Sequence, residues 1–158
     1  MPAVFLLRFP SVSDSSMSTV LQLLEQKGYD VWSIGPDAYV YDALALMAEK
    51  EIGALTVMQD NRIIGVITER DYARKVILKG RTSKETRVRD IMTTPVVYAR
   101  PDQTVEQCMA VITDRRVRHL PVMQDGRLIG IISIGDLVKA IIDEQKFIIE
   151  QLVNYINS

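Results

Sequence analysis

The chain repeats itself. Displaced by sixty-five residues, positions 31–77 align with positions 96–142 without a gap, and sixteen of the forty-seven pairs are identical. Among them are Pro36/Pro101, Asp37/Asp102, Gly65/Gly130 and the run VMQD at 57–60 and 122–125. Most mismatches keep their character, as in Ile52/Val117, Val66/Ile131 and Thr68/Ser133. Two copies are too few for a solenoid, which needs three or more units. They suffice for two units packed about a pseudo-two-fold axis.

Each copy has one grammar. A short strand (Val31–Ile34 or Val96–Ala99) meets a turn at Gly35-Pro36-Asp37 or Arg100-Pro101-Asp102. A helix follows, its apolar positions 40, 43, 44 and 47, or 105, 108, 109 and 112, recurring at the spacing of one buried stripe. Two runs rich in β-branched residues then flank a two-residue polar turn. They are Leu55–Met58 with Ile63–Ile67, and Leu120–Met123 with Leu128–Ile132. Asp125-Gly126 suits a type I′ hairpin, whose central residues both need positive φ, and Asp60-Asn61 is a weaker version of it. A second helix starts at Thr68 or Ser133. The unit reads β-α-β-β-α, and its near-continuous apolar runs predict strands covered on both faces. The fold class is α/β (α+β), with two pseudo-symmetric repeats packed as one module.

Outside the repeats, Thr19–Lys27 reads as a helix stopped by Gly28. Val88–Met92 reads as a short helical turn, and a C-terminal helix is expected from about Gly135 to Tyr155. At about 1.5 Å per residue that helix is some 30 Å long, more than its own repeat can cover, so a second subunit is expected over the remainder. The expected organisation is an N-terminal extension at 1–17, one domain at 18–80, a linker at 81–92, a second domain at 93–142 and a helical extension at 143–158. The extension has an apolar piece too short for the core of an export signal, with no basic start.

Composition excludes some functions. A formal net charge of −1 leaves no electrostatic footprint for nucleic acid or an anionic membrane. No apolar run approaches the ~20 residues of a membrane span. The single cysteine, Cys108, rules out an internal disulfide and suits a reducing compartment, here the cytoplasm.

The functional question lies in the two endings, GVITERD at 65–71 and GIISIGD at 130–136. Thr68 with Asp71 and Ser133 with Asp136 each fit a capping box, in which hydroxyl and acid satisfy helix N-terminal amides reciprocally. Capping boxes favour Glu or Gln at the acid position, and both copies carry Asp. The alternative is a nucleoside-phosphate grip. Outward amides and a hydroxyl at a helix start suit phosphate, and a carboxylate can accept two hydrogen bonds from a ribose diol.

With x-Pro-Asp after a strand, IGALTV at 52–57, VRHLPV at 117–122, the hairpins and G-h-h-[ST]-x-x-D twice, the chain resembles a tandem pair of CBS (cystathionine-β-synthase) domains, a Bateman module, over residues 18–142. The resemblance implies adenosine-containing ligands, AMP, ADP, ATP or NAD and sometimes S-adenosylmethionine, in clefts between the two domains. Carried onto this sequence, one site would use Thr68 and Asp71 with Val97 and Val117 beside the base, and Arg70, Arg118 and His119 near phosphates. The other would use Ser133 and Asp136, with Trp32, Ile52, Gly53 and Ala54 lining the base pocket. Gly53-Ala54 stands opposite Arg118-His119 in the repeat, and Ile134-Gly135 replaces Glu69-Arg70. The two clefts should therefore differ in charge, with the first holding the more highly charged nucleotide.

Other residues admit two readings each. His119, the only histidine, either touches phosphate or is an idle strand end, and lacks a second ligand at metal spacing. Cys108 aligns with Ala43 on a buried stripe and reads as a small hydrophobe. Trp32 is either core or a π-face beside a purine, and Arg115, Arg116 and Arg118 are either a solvated helix end or a phosphate landing. No nucleophile-and-base pair or metal cluster points to an enzyme. The expected function is a non-enzymatic, adenine-nucleotide-binding regulatory module, a homodimer acting on an unidentified regulated protein. The alternative is a scaffold of the same fold with weak or vestigial sites.

Overall fold

Both two-residue turns adopt the backbone their residues favour. In the computed structural model, which describes residues 18–157, Asp60, Asn61, Asp125 and Gly126 all hold positive φ, between 51° and 77°, as a type I′ hairpin requires. The elements in chain order are Val20–Lys27 (α1), Ser33–Ile34 (β1), Val40–Lys50 (α2), Ala54–Gln59 (β2), Arg62–Thr68 (β3), Glu69–Lys75 (α3), Val105–Arg115 (α4), His119–Gln124 (β4), Arg127–Ser133 (β5) and Ile134–Asn157 (α5). Single turns of 3-10 helix lie at Ile77–Lys79 and Val88–Asp90. The expected extension at 1–17 lies outside the described residues.

The hairpins share one register. Val57 pairs with Gly65 and Val122 with Gly130, and each ladder is irregular at the next residue. The helical stripes are buried as their spacing predicts: Val40, Ala43 and Met47 in one core, Val105, Cys108 and Ile112 in the other. Thr104 caps α4 in a reciprocal box with Gln107, as Thr19 does for α1 with Gln22.

The leading strands break the symmetry. In the first repeat, β1 pairs parallel with β2, and the Thr56 amide donates to the Trp32 carbonyl at 3.3 Å. The expected strand Val96–Ala99 shrinks to one bridge, Ala99 with Val122. Thr56 aligns with Pro121, which has no N–H to donate. Only the bonds from Ala99 N to Pro121 O and from Met123 N to Ala99 O remain, at 2.8 and 2.9 Å.

Each repeat takes its lid from outside its own span. α1 precedes the first repeat, yet Val20, Leu23 and Leu24 pack in the core of the second with Leu120, Val122, Ile132 and Leu137. The 3-10 turn before the second repeat puts Val88 and Ile91 in the core of the first, with Leu55, Val57 and Ile67. Matching backbone bonds fix both lids. Val20 N donates to Gln103 O and Leu21 N to Pro101 O, while Val88 N donates to Ala38 O and Arg89 N to Pro36 O, all between 2.8 and 3.0 Å. This exchange explains Gly65 and Gly130. A Cβ at Gly65 would sit 2.7 Å from Met92 Sδ, and one at Gly130 would sit 2.8 Å from Leu24 Cδ2. The glycines leave room for the side chain that crosses over.

α5 runs for 24 residues, about 36 Å at 1.5 Å per residue. Beyond Asp143 it exposes Phe147, Ile149, Leu152, Val153 and Ile156. No helix among the described residues is long and apolar enough to cross a membrane.

Candidate functional site

The two repeated endings form two cavities, each built from both repeats. At both endings the helix start is tied to the residue before the first hairpin strand. Glu69 N donates to Gly53 O and Ile134 N to Arg118 O, at 3.1 and 2.9 Å.

The first cavity, of about 380 Å³, gathers Thr68, Arg70, Asp71, Val97, Val117, Arg118 and His119, all seven residues assigned to one site from the sequence. Asp71 is almost fully buried. Its Oδ2 accepts from Thr68 N at 2.9 Å and from Thr68 Oγ1 at 3.1 Å, and its own amide donates back to Thr68 Oγ1. Thr93 Oγ1 lies 3.2 Å and Lys75 Nζ 3.1 Å from Oδ1. The capping box is therefore present, and the carboxylate has further donors besides. Arg70, Arg74, Lys75, Arg115, Arg116 and Arg118 line the space against two acids, Glu69 and Asp71. The crowding is felt: repulsion from Arg118, then from Arg74, pulls the Arg70 guanidinium below its ordinary pKa.

The second cavity, of about 400 Å³, gathers Trp32, Ile52, Gly53, Ala54, Ser133 and Asp136, all six residues of the other site. Asp136 Oδ2 accepts from Ser133 N at 2.8 Å, and Asp136 N donates to Ser133 Oγ at 3.1 Å, the same box again. Here the charge balance is reversed, with Lys27 standing against Asp30, Glu51 and Asp136. Lys27 Nζ bonds Asp136 Oδ2 at 2.5 Å and the Ile131 carbonyl at 2.6 Å. Burial raises the Asp136 pKa, but the Lys27 ammonium and the Ser133 amide outweigh it and hold the carboxyl below its ordinary value. Both volumes fall in the range of about 300–1,000 Å³ usual for small-ligand sites.

Several lining residues escaped the sequence reading. Arg74 and Lys75 follow Arg70 and Asp71 by four positions, so helical spacing could have placed them on that face. Lys27 and Thr93 reach the cavities from the exchanged lids, which no local pattern announces. Gly53 and His119, each assigned to one site, line both cavities. Trp32 is not core: it is 41% exposed, with the Lys50 ammonium 4.1 Å from its ring centroid. Arg115, Arg116 and Arg118 face the first cavity rather than forming only a solvated helix end. Cys108 is fully buried, and burial pushes its thiol pKa up to about 11.

Known proteins are similar to this chain in sequence and fold. A mitochondrial CBS domain-containing protein of Arabidopsis thaliana is 37% identical over 98% of this chain and 83% of its own length. A crystallised CBS-domain protein from Burkholderia ambifaria, named for signal transduction, is 52% identical over 81% of this chain and 96% of that one, with a TM-score of 0.78. A CBS domain pair crystallised with 5′-methylthioadenosine and S-adenosylmethionine shares the fold, with a TM-score of 0.68 at 20% identity over 78% of this chain and 94% of that one. The CBS domain family matches residues 28–77 and 88–143, and with its two repeats, exchanged lids and paired inter-repeat cavities the chain belongs to that family as a tandem CBS pair.

Proposed function

We propose that this CBS pair is a sensor of adenosine-containing ligands, with the basic cavity taking an adenine nucleotide by its phosphates and the acidic cavity taking a less charged adenosine ligand. The observation that carries this reading is the charge asymmetry of two cavities built on one repeated frame: six basic side chains against two acids in one, one lysine against three acids in the other. Thr68 with Asp71 and Ser133 with Asp136 meet the ribose, Val97 and Val117 flank one base, and Trp32, Ile52, Gly53 and Ala54 flank the other. That a protein of this fold was crystallised with two adenosine derivatives supports the ligand class. The module acts by changing its affinity for a regulated protein, not by catalysis. A cytoplasmic setting fits the single thiol, although the plant relative is named for the mitochondrion.

The test is calorimetric titration of the chain with AMP, ADP, ATP, NAD and adenosine. ATP should bind the basic cavity and adenosine the acidic one, and a thermal shift should follow, because ligand at 100 times its Kd stabilises by about 2.7 kcal/mol. No binding of any of the five would overturn the reading.

The same pair is proposed to be a homodimer joined through α5, whose apolar residues beyond Asp143 find no cover within the described chain. The scaffold alternative draws on that face too, and the titration separates the two.

A further inference from the structure

One imidazole stands between the two cavities. His119 opens β4, pairs with Ser133 across the hairpin, and shares with Gly53 the place of lining both spaces. A Cβ built on Gly53 would lie 3.0 Å from Glu69 Oε1 and 4.0 Å from His119 Cε1, so the Glu69 carboxylate and the His119 ring both lie beside Gly53. His119 Nδ1 is buried and has no hydrogen-bond partner among the described residues. Buried polar atoms in folded proteins are nearly always paired, so an orphan beside a cavity asks for a reason.

The surrounding charges supply one. His119 is faced by Arg118 from its own segment, Lys27 from the end of α1, Asp136 from α5 and Glu69 from α3. Burial acts first, and Lys27 and Arg118 add to it. Together they hold the imidazole neutral, below its ordinary pKa, against the pull of Asp136. Beyond Arg118, the basic cavity that His119 lines carries Arg70, Arg74, Lys75, Arg115 and Arg116. An anion placed there would offset the cations that oppose imidazolium and would bring oxygen acceptors to the ring.

We propose that His119 takes up a proton from solvent when an anionic ligand fills the basic cavity. The new charge lies on a wall common to both cavities, with Asp136 lining the acidic one. This deepens the nucleotide reading and rests on it. Binding of phosphates to this protein then becomes tighter as pH falls, over the interval between the ring's free and ligand-bound titration midpoints.

The chain holds one histidine, so its Hε1 proton gives a single NMR resonance that reports the ring directly. Titrated free, and with saturating adenosine, ATP or inorganic tripolyphosphate, the midpoint should move to higher pH with the two phosphates and stay with adenosine. Calorimetry should show ATP affinity rising by up to about tenfold per pH unit lost within that interval. Phosphate itself titrates near pH 6, so the same series on His119→Gln isolates the ring: the ligand's contribution persists and the histidine's disappears. ATP binding with an unmoved midpoint would overturn this inference and leave the nucleotide reading standing. No binding of ATP or tripolyphosphate would overturn both.

Discussion

Lys27 and Asp136 belong to opposite ends of the chain and meet in the acidic cavity, ammonium to carboxylate at 2.5 Å. Lys27 reaches it because α1 lids the second repeat, and the ammonium holds the carboxylate oxygen that a ribose diol would need. Lys27→Met removes this competitor. We expect tighter adenosine binding by about three- to tenfold, a gain of roughly 0.7–1.4 kcal/mol, with little loss of stability because the ion pair is partly exposed. Weaker adenosine binding in calorimetry would instead make Lys27 a ligand contact.

The two acids separate capping from gripping. Asp71→Ala leaves the Thr68 amide and hydroxyl and the Thr93 hydroxyl without their acceptor, and should cost about 2–3 kcal/mol of stability. Asp71→Asn keeps an acceptor and serves where the alanine variant unfolds. In the asparagine variant ATP affinity should fall at least tenfold, about 1.4 kcal/mol or more. Adenosine affinity should hold, and Asp136→Asn should reverse that pattern. Unchanged binding in both would make the repeated ending a helix cap and nothing else.

The exchanged lids predict unusual sensitivity at two glycines. A Cβ at Gly130 meets both methyls of Leu24, a side chain fully buried, at 2.8 and 2.9 Å. Gly130→Ala should cost about 1–3 kcal/mol by overpacking, and Gly65→Ala a similar amount against Met92. In Gly130→Ala, Leu24→Ala should recover part of the loss despite deleting core volume, which urea melts of the single and double variants would show. Strictly additive losses would mean that the lid does not set the glycine requirement.

Stability should depend on pH through His119. The folded imidazole has its pKa lowered by burial and by Lys27 and Arg118, so around pH 6 the unfolded chain binds the proton more readily than the folded one. The sign follows: this contribution is fully present above the ordinary value of about 6.5 and is lost as pH falls from there toward the folded value. Tm should drop between about pH 7.5 and pH 5.5, and the drop should be smaller in His119→Gln. Equal slopes would remove histidine as the cause.

The apolar end of α5 makes oligomeric state testable. Sedimentation should give a species of twice the 17.9 kDa chain mass, and the double change Phe147→Glu with Leu152→Glu should give the monomer with its melting transition intact. A wild-type monomer at high micromolar concentration would refute dimerisation through this face.

The duplication, the hairpins with their I′ turns and the buried helical stripes were legible in the sequence, because each rests on short spacings or on comparison of one repeat with the other. The residues assigned to two sites came from the resemblance to CBS domains, and the structure gathers them around two cavities. Repetition also exposed the repeated acid, hydroxyl and glycine, though not why glycine was needed. That reason is tertiary: Leu24 and Met92 cross from outside the repeat whose glycine they touch, and no pattern local to 65 or 130 records it. Pro121 was visible too, but its cost became clear only when the missing amide was seen to reduce the expected strand Val96–Ala99 to one bridge. Charge in the cavities divided the same way. Arg70, Arg118 and His119 were assigned to one cleft through the resemblance to CBS domains, and all three line the basic cavity. Lys27 and Thr93 arrive on the exchanged lids, and His119 borders both cavities only because the two repeats pack face to face. Chain order sets short-range geometry through backbone chemistry, whereas contacts over a hundred residues, such as Lys27 with Asp136, are decided by which surfaces can bury one another.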